Sequence, residues 1–405
     1  MSAPPPFTES PYLFNTYARQ PLTFVRGKGP WVWDTEGKRY LDFFSGLAVC
    51  NLGHANRDVA RAVSHQIRLL VHTSNIYSTT PQRALAKTLS TRSFGGKVFL
   101  TNSGAEANEG ALKLARRFGA VNPGPEGPRH EIIVFDSAFH GRTFGALSAT
   151  PQKKYQDGFG PLLPGFPVAQ YGDMASVKSK WTVRTCAVLV EPIQGEGGVR
   201  TVSPSFFKEL SDFCRERHLL LMFDEVQTGI GRTGTLFAYQ NPQVVPAGVV
   251  PDVMSIAKGL ANGLPMGALL ARGEIADLIG PGDHATTFGG GPVPSQAALA
   301  VLKQIVPSLL SDVNRLGTLI RQEITEWKKE FPFIKEVRGE GFMIGIELDR
   351  PGADVVHSAR KAGLLINCTA GNVIRLLPSF VVTRPQILRG LKLLKSAFKA
   401  LGENS

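Results

Sequence analysis

Several absences narrow the reading of this 405-residue chain. It has only four cysteines, Cys50, Cys186, Cys214 and Cys368, far apart and with no CxxC pair. That excludes a disulfide-framed or zinc-ribbon domain and leaves reduced thiols that mostly serve packing, with no metal site expected. No apolar run approaches the roughly 20 residues that a membrane helix needs, so no membrane partner is expected. The opening MSAPPPFTESPYLFN has no basic n-region or apolar core, and its first arginine is Arg19. A secretory or transit leader is therefore not expected, and the cytoplasm is the expected location. With 43% apolar and 19% charged residues, the composition is that of a folded globular chain and not a disordered one. The formal charge of +12 is dispersed, with no basic block interleaved with aromatics, so nucleic acid is not an expected partner. A solvated basic surface accounts for the excess; attraction of small anions, phosphates and dicarboxylates among them, is a second reading.

The chain is long enough for a large core, either as two domains or as one large domain with a smaller lobe. Its clearest signal is HLLLMFDEVQTGIGRTG, His218 to Gly234. Leu219 to Phe223 form a continuous apolar run, the pattern of a strand buried on both faces of a parallel sheet, and the run stops at Asp224 and Glu225. PDVMSIAKG repeats the plan, with apolar Val253 to Ile256 and then Lys258. An acid and a lysine at the ends of two such strands, with room for a crossover between them, both reach the crevice at the carboxyl edge of one sheet.

Other strand ends add to the inventory. CAVLVEPIQGEGG leads to Glu191 and Glu196, and EIIVFDSAFHGR leads to Phe139, His140 and Arg142. Phe139 can stack on a flat ring and Arg142 can grip a carboxylate through two parallel hydrogen bonds, while His140 reads as a packing residue. KVFLTNSGAEANEGALKLARRFGA reads as strand, turn and helix, with a capping box between Ser103 and Glu106. Gly104 and Ala105 leave the amides at the helix start uncovered, where a phosphate can sit.

Residues up to about Pro11 read as a loose arm, and PLTFVRGKGPWVWDTEGKRYLDFFSG as an antiparallel meander. NRDVARAVSHQIRLLV reads as an amphipathic helix on Val59, Val63, Ile67, Leu70 and Val71. The expected division is an N-terminal segment (1–50) joining a small domain, a large cofactor-binding domain (51–298) and a C-terminal small domain (299–405). The boundary falls between Ala298 and Leu309, where long amphipathic helices begin to alternate with short strands.

Pyridoxal 5'-phosphate satisfies the whole inventory: an aldehyde for Lys258, a pyridine nitrogen for Asp224, a phosphate for the Ser103 turn and a ring for Phe139 to cover.

TNSGAEANEGALKLAR, DEVQTGIGRTG, IAKGLANGLPMGA and TTFGGGP together resemble the class III pyridoxal-phosphate aminotransferases of fold type I. The likeness extends from NTYARQPLTFVRGKG to VIRLLPSFVV. It implies an α/β fold, with a mostly parallel central sheet covered by helices on both faces and a smaller α+β domain. It implies Lys258 and Asp224 as catalytic residues, the first carrying the cofactor and moving a proton, the second on the pyridine nitrogen. Glu225 joins the implied cofactor set, with Val226 on the ring face opposite Phe139, Gln227 near the ring hydroxyl, and Ser103, Gly104 and Ala105 at the phosphate. Thr287, with Thr286, would reach across from a second subunit, implying a homodimer with shared active sites. Arg142 would clamp a substrate α-carboxylate, Glu196 would mask and release Arg375 for a second one, and Tyr17 completes the substrate set.

Within the family, SGLAVCNLGH resembles the members that use acetylornithine, because Leu47 stands where free-ornithine enzymes carry a tyrosine. The implied reaction moves the δ-amino group of N-acetylornithine to 2-oxoglutarate in arginine biosynthesis. Succinylornithine, N-succinyl-diaminopimelate, ornithine and 4-aminobutyrate are the alternative donors. Gly291 departs from the family's usual Asn in GGNP.

Overall fold

A computed structural model describes residues 10–403; the first nine residues of the expected N-terminal arm lie outside that range. The core is a seven-stranded sheet in the spatial order Lys97–Thr101, Gly267–Ala271, Val253–Ile256, Leu220–Asp224, Thr185–Val190, Glu131–Phe135 and Val168–Ala169. The last five run parallel, and Gly267–Ala271 is antiparallel to both its neighbours. Every residue of Thr185–Val190 and Leu220–Asp224 is buried, as continuous apolar runs require when both sheet faces are covered. The Asp224–Ser255 pairing sets Lys258, three residues further on, at the same carboxyl edge as Asp224.

There are two smaller sheets, one of which joins the two ends of the chain. Phe24–Lys28, Trp31–Asp34 and Arg39–Asp42 form the antiparallel meander, and Leu364–Leu365 adds to it in parallel beside Arg39–Asp42. The N-terminal segment is thus stitched to the C-terminal part. The other sheet is antiparallel, in the order Ile334–Glu340, Met343–Leu348, Val373–Leu376, Asn367–Thr369.

Three local expectations are revised. The amphipathic helix stops at Ile67, so Leu70 and Val71 are exposed beyond it. Gln66 closes the helix end, its carbonyl accepting from Leu69 and Leu70 and its side chain donating back to the Leu70 carbonyl. The division after residue 298 cuts the helix Pro292–Gln304, which packs on Arg57–Ile67 and Thr80–Arg92. The turn falls at Ile305–Val306, inside the expected interval from Ala298 to Leu309, and Pro307 opens the next helix, Pro307–Glu326, since proline suits the first helical turn. The third revision concerns the Ser103 turn, described with the site.

Within Pro307–Glu326, Gly317 lies against another backbone segment: a Cβ there would stand 2.0 Å from the Gly341 carbonyl oxygen. In an open helix, alanine is better than glycine by about 1 kcal/mol. Here the backbone contact reverses the sign, and Gly317→Ala is expected to destabilise by about 1–3 kcal/mol. Denaturant unfolding checks it; a midpoint equal to or above wild type would contradict this packing.

Candidate active site

The carboxyl edge of the central sheet opens into a cavity of about 420 Å³. Asp224, 3% exposed, lies at its floor. Its Oδ2 accepts from Asn108 Nδ2 and His140 Nδ1, both at 2.7 Å, and its Oδ1 from the Val226 amide at 3.0 Å. Asn108 sits on the helix Gly104–Val121, is held through its Oδ1 by the Ser255 hydroxyl at 2.6 Å, and donates also to the His140 carbonyl. His140 is therefore more than a packing residue: it is a partner of the central acid. The sequence offered only its place on a strand-end loop, and Asn108 carried no signal beyond its place on a helix.

Lys258 lines the same cavity, in a left-handed conformation with φ of 46°. Burial lowers its pKa below the ordinary lysine value, and the nearby charges of Glu196 and Asp224 oppose the shift without cancelling it. A lysine so placed is a better base and nucleophile at neutral pH than an exposed one.

Above the floor, the turn before Gly104–Val121 brings Ser103, Gly104 and Ala105 to the cavity wall. Ser103 caps the helix by accepting from the Glu106 amide at 3.2 Å. The expected reciprocal half of the box is shifted by one residue: Glu106 accepts from the amide (2.9 Å) and side chain (2.8 Å) of Asn102, not from Ser103. The first-turn amides of Gly104 and Ala105 have no intrahelical acceptor to serve. Gly104 must be glycine, because a Cβ would lie 2.6 Å from Val226 Cγ1. Phe139, whose amide donates to Glu191 at 2.9 Å, and Val226 supply apolar walls. Burial raises the pKa of Glu191 to about 7, with His140 opposing and Asp224 reinforcing.

At the other side, Glu196 Oε1 meets Arg375 Nη1 at 2.8 Å. Burial alone would raise the Glu196 pKa, but the charge and hydrogen bond of Arg375 win and hold it below the usual range. Arg375 is fully buried; Gln227 Oε1 accepts from Nη1 at 3.1 Å, Asn367 Oδ1 accepts from Nε at 3.2 Å, and Nη2 has no partner. Arg142 lies at the cavity wall, exposed, stacked 3.8 Å above the Tyr155 ring centre.

Four expected site residues lie outside this cavity, two of them, Thr286 and Thr287, expected to serve the site of a second copy. Glu225 turns away from the cavity into the scaffold, where it accepts from the amides of Ala238 (2.6 Å) and Tyr239 (2.8 Å), and burial raises its pKa to about 7. The strand ends at Asp224, and in the turn that follows the Ala238 and Tyr239 amides draw the Glu225 carboxylate into the scaffold, while Asp224, Val226 and Gln227 line the cavity. Tyr17 is 70% exposed, outside the cavity lining, its ring beneath Arg19. Thr286 and Thr287 line a separate surface depression with Asn75 and Ile76. Thr286 is tied to the cavity only through its Oγ1, which accepts from Asn102 at 3.1 Å.

The sequence model of the family described as aminotransferase class-III matches residues 14–398. The chain belongs to that family. An acetylornithine aminotransferase of Caldanaerobacter subterraneus is 45% identical over 95% of this chain and 97% of its own, and one of Methanocaldococcus jannaschii 44% over 94% of each. Among solved structures, the ornithine aminotransferase of Toxoplasma gondii superimposes with a TM-score of 0.91 at 32% identity, covering 97% of this chain and 94% of that one. The N-acetylornithine aminotransferase of Stenotrophomonas maltophilia gives 0.82 at 33%, covering 96% and 98%. The fold is therefore that of the fold type I transferases, α/β as expected.

Class III aminotransferases use pyridoxal 5'-phosphate, and the residues present suit it. A helix start with spare amides beside the Ser103 hydroxyl suits a phosphate, the buried acid, whose Oδ1 accepts from the Val226 amide and keeps room for a further donor, suits a ring nitrogen, and a buried lysine suits an aldehyde. When bound, the cofactor supplies an electron-withdrawing ring that weakens the C–H bond beside the substrate nitrogen. No group of three or more His, Cys, Asp or Glu side chains among the described residues is disposed to hold a metal ion.

Asp224→Ala in this aminotransferase removes a charge-assisted partner and leaves the buried donors of Asn108 and His140 unserved. The expected loss is on the order of 3 kcal/mol, about a hundredfold in the single-turnover rate. A near-normal rate in rapid-mixing measurements would remove Asp224 from its central place.

Proposed function

We propose that this aminotransferase moves the δ-amino group of N-acetylornithine to 2-oxoglutarate, yielding N-acetylglutamate 5-semialdehyde and glutamate by a ping-pong route in arginine biosynthesis. The observation that carries the reading is the Glu196–Arg375 pair. A fully buried arginine covered by a carboxylate and keeping one unpartnered nitrogen is poised for exchange of one carboxylate for another. One site must take a donor through its distal amine and an acceptor through its α-keto group. With Glu196 on Arg375, Arg142 at the wall receives the donor's α-carboxylate; with Glu196 withdrawn, Arg375 receives that of 2-oxoglutarate. Lys258 would hold the cofactor and move a proton at its Nζ, Asp224 would take the ring nitrogen, Phe139 and Val226 would confine the ring, Gln227 would serve its hydroxyl, and Ser103, Gly104 and Ala105 would hold its phosphate.

The acyl preference rests on Leu47. It lies in a left-handed run, Ser45 to Ala48, with φ from 49° to 67°, pinned by Asp42 accepting from the Phe44 and Ser45 amides at 2.8 Å. Val49, two residues on, lines the cavity. A leucine offers no hydrogen bond to a free α-amine but tolerates an acylated one. Relatives named acetylornithine aminotransferase, at 42–45% identity, support the same choice. In steady-state assays kcat/KM for N-acetylornithine is expected to exceed that for ornithine and 4-aminobutyrate by about tenfold or more, the factor one buried polar mismatch supports. Equal or higher values for ornithine or succinylornithine would replace the donor named here.

The working form is a homodimer with shared active sites. Thr287 is exposed beside strongly exposed apolar side chains, Ile76 at 85% and Phe288 at 66%, an arrangement suited to a two-fold contact with a second copy. Thr286 and Thr287 of one copy then complete the other's phosphate site. Light scattering is expected to give a dimer for wild type and monomer for Ile76→Asp with Phe288→Asp, with weaker cofactor retention in the monomer. A monomeric, fully active wild type would sink this arrangement.

A further inference from the structure

The loop Gly195–Arg200, which carries Glu196, is strained. Gly198 has φ of 106° and Val199 φ of 50°, a left-handed conformation that β-branched residues avoid. Such a backbone persists only where its surroundings hold it. The hold comes from one cross-strand row of the C-terminal sheet. Arg338 is paired with Gly345, Gly345 with Arg375, and Arg375 with Asn367, and residues directly opposed in an antiparallel sheet project from the same face.

At one end of the row Arg375 takes the Glu196 carboxylate. Towards the other, Arg338 donates to the Gly198 carbonyl from Nε (3.2 Å) and Nη2 (2.8 Å), and to the Val199 carbonyl from Nε (3.0 Å). Its side chain is only 11% exposed and is fixed by the carboxylates of Glu336, at 2.6 Å, and Glu347. Between the arginines, Gly345 leaves the space that Val199 fills, since a Cβ there would stand 2.8 Å from Val199 Cβ. Thr369 adds a hydrogen bond from its hydroxyl to the Glu196 carbonyl at 2.6 Å.

From this we infer that Arg338 is a positioning residue for the choice between the two substrates: it holds the strained backbone so that Glu196 covers Arg375 while the δ-amine donor is bound. The inference rests on the Glu196–Arg375 reading above. The guanidinium spans two successive carbonyls at once; a lysine ammonium is a point charge without that planar fork. Without the clamp the loop relaxes, Glu196 leaves Arg375, and the uncovered arginine favours donors presenting an α-carboxylate beside the reacting amine, such as glutamate.

The test compares single-turnover rates with N-acetylornithine and with glutamate in the holoenzymes of wild type, Arg338→Met, Arg338→Lys, Gly345→Ala and Glu196→Ala. Arg338→Met is expected to raise the glutamate-to-acetylornithine rate ratio by about tenfold, in the direction of Glu196→Ala. Arg338→Lys should fall between it and wild type. Gly345→Ala should move the ratio the same way by displacing Val199. Hydrogen exchange at the Val199 and Arg200 amides, which bond the Gly195 and Gln194 carbonyls, should quicken in Arg338→Met. A merely structural role would lower the Tm and slow both half-reactions equally, leaving the ratio unmoved. A ratio unchanged in Arg338→Met while Glu196→Ala shifts it overturns the inference and leaves the switch standing. No shift in Glu196→Ala removes the switch and the inference together. Should Arg338→Met fail to fold, Arg338→Lys and Gly345→Ala decide on the same ratio.

Discussion

A buried carboxylate without partners is untenable, and the answer to that constraint at Asp224 organises the catalytic half of the molecule. Three donors from three separate elements converge on it: Asn108 from a helix, His140 from a strand-end loop and the Val226 amide from its own turn. Each donor is itself held. Ser255, on the neighbouring strand, fixes Asn108, and the Thr150 hydroxyl accepts from the His140 amide at 2.8 Å. The helix whose first turn carries the spare amides is therefore locked to the acid at the sheet edge. The distance from the Ser103 turn to Asp224 is set by that lock and not by loop conformation.

A second buried charge joins distant parts of the chain. Arg232, fully buried, donates to the carbonyls of Phe342 (3.0 Å) and Pro378 (2.7 Å) and to the Asn51 side chain. Burial pulls its pKa down to about 9, with Asp42 only partly opposing. One side chain in the loop after Asp224 thereby grips both Asn51, near the start of the chain, and Phe342 and Pro378, near its end. Asn51 in turn fills the space beside Gly259, where a Cβ would come within 2.2 Å of its Nδ2. The turn that presents Lys258 thus has a neighbour drawn from a distant part of the chain, and the placement of that lysine in the cavity becomes a property of packing.

Strand-end residues were legible because their signal is local. Continuous apolar runs announce strands covered on both faces, and the first polar residue after each marks the carboxyl edge; Asp224, Glu191 and Lys258 were found this way. His140 and Asn108 were not, since their importance lies in hydrogen bonds to residues 84 and 116 positions away. Glu225 was misjudged for the opposite reason. Its neighbours in sequence belong to the cavity, yet the amides of Ala238 and Tyr239 draw its carboxylate into the scaffold.

By itself, then, the sequence determined the parallel core, its carboxyl edge, the lysine and acid delivered to it, and the family. These depend on short-range patterns of apolar and polar residues and on motifs contiguous in the chain. Only the tertiary structure decided which charges are paired, which site residues stand outside the cavity, and where the helix Pro292–Gln304 ends and the next begins. It also disclosed the row of Arg338, Gly345 and Arg375 beneath the Glu196 loop. Strand register across the C-terminal sheet lines these residues up, and register comes from the packing of whole strands, which no contiguous stretch of sequence encodes.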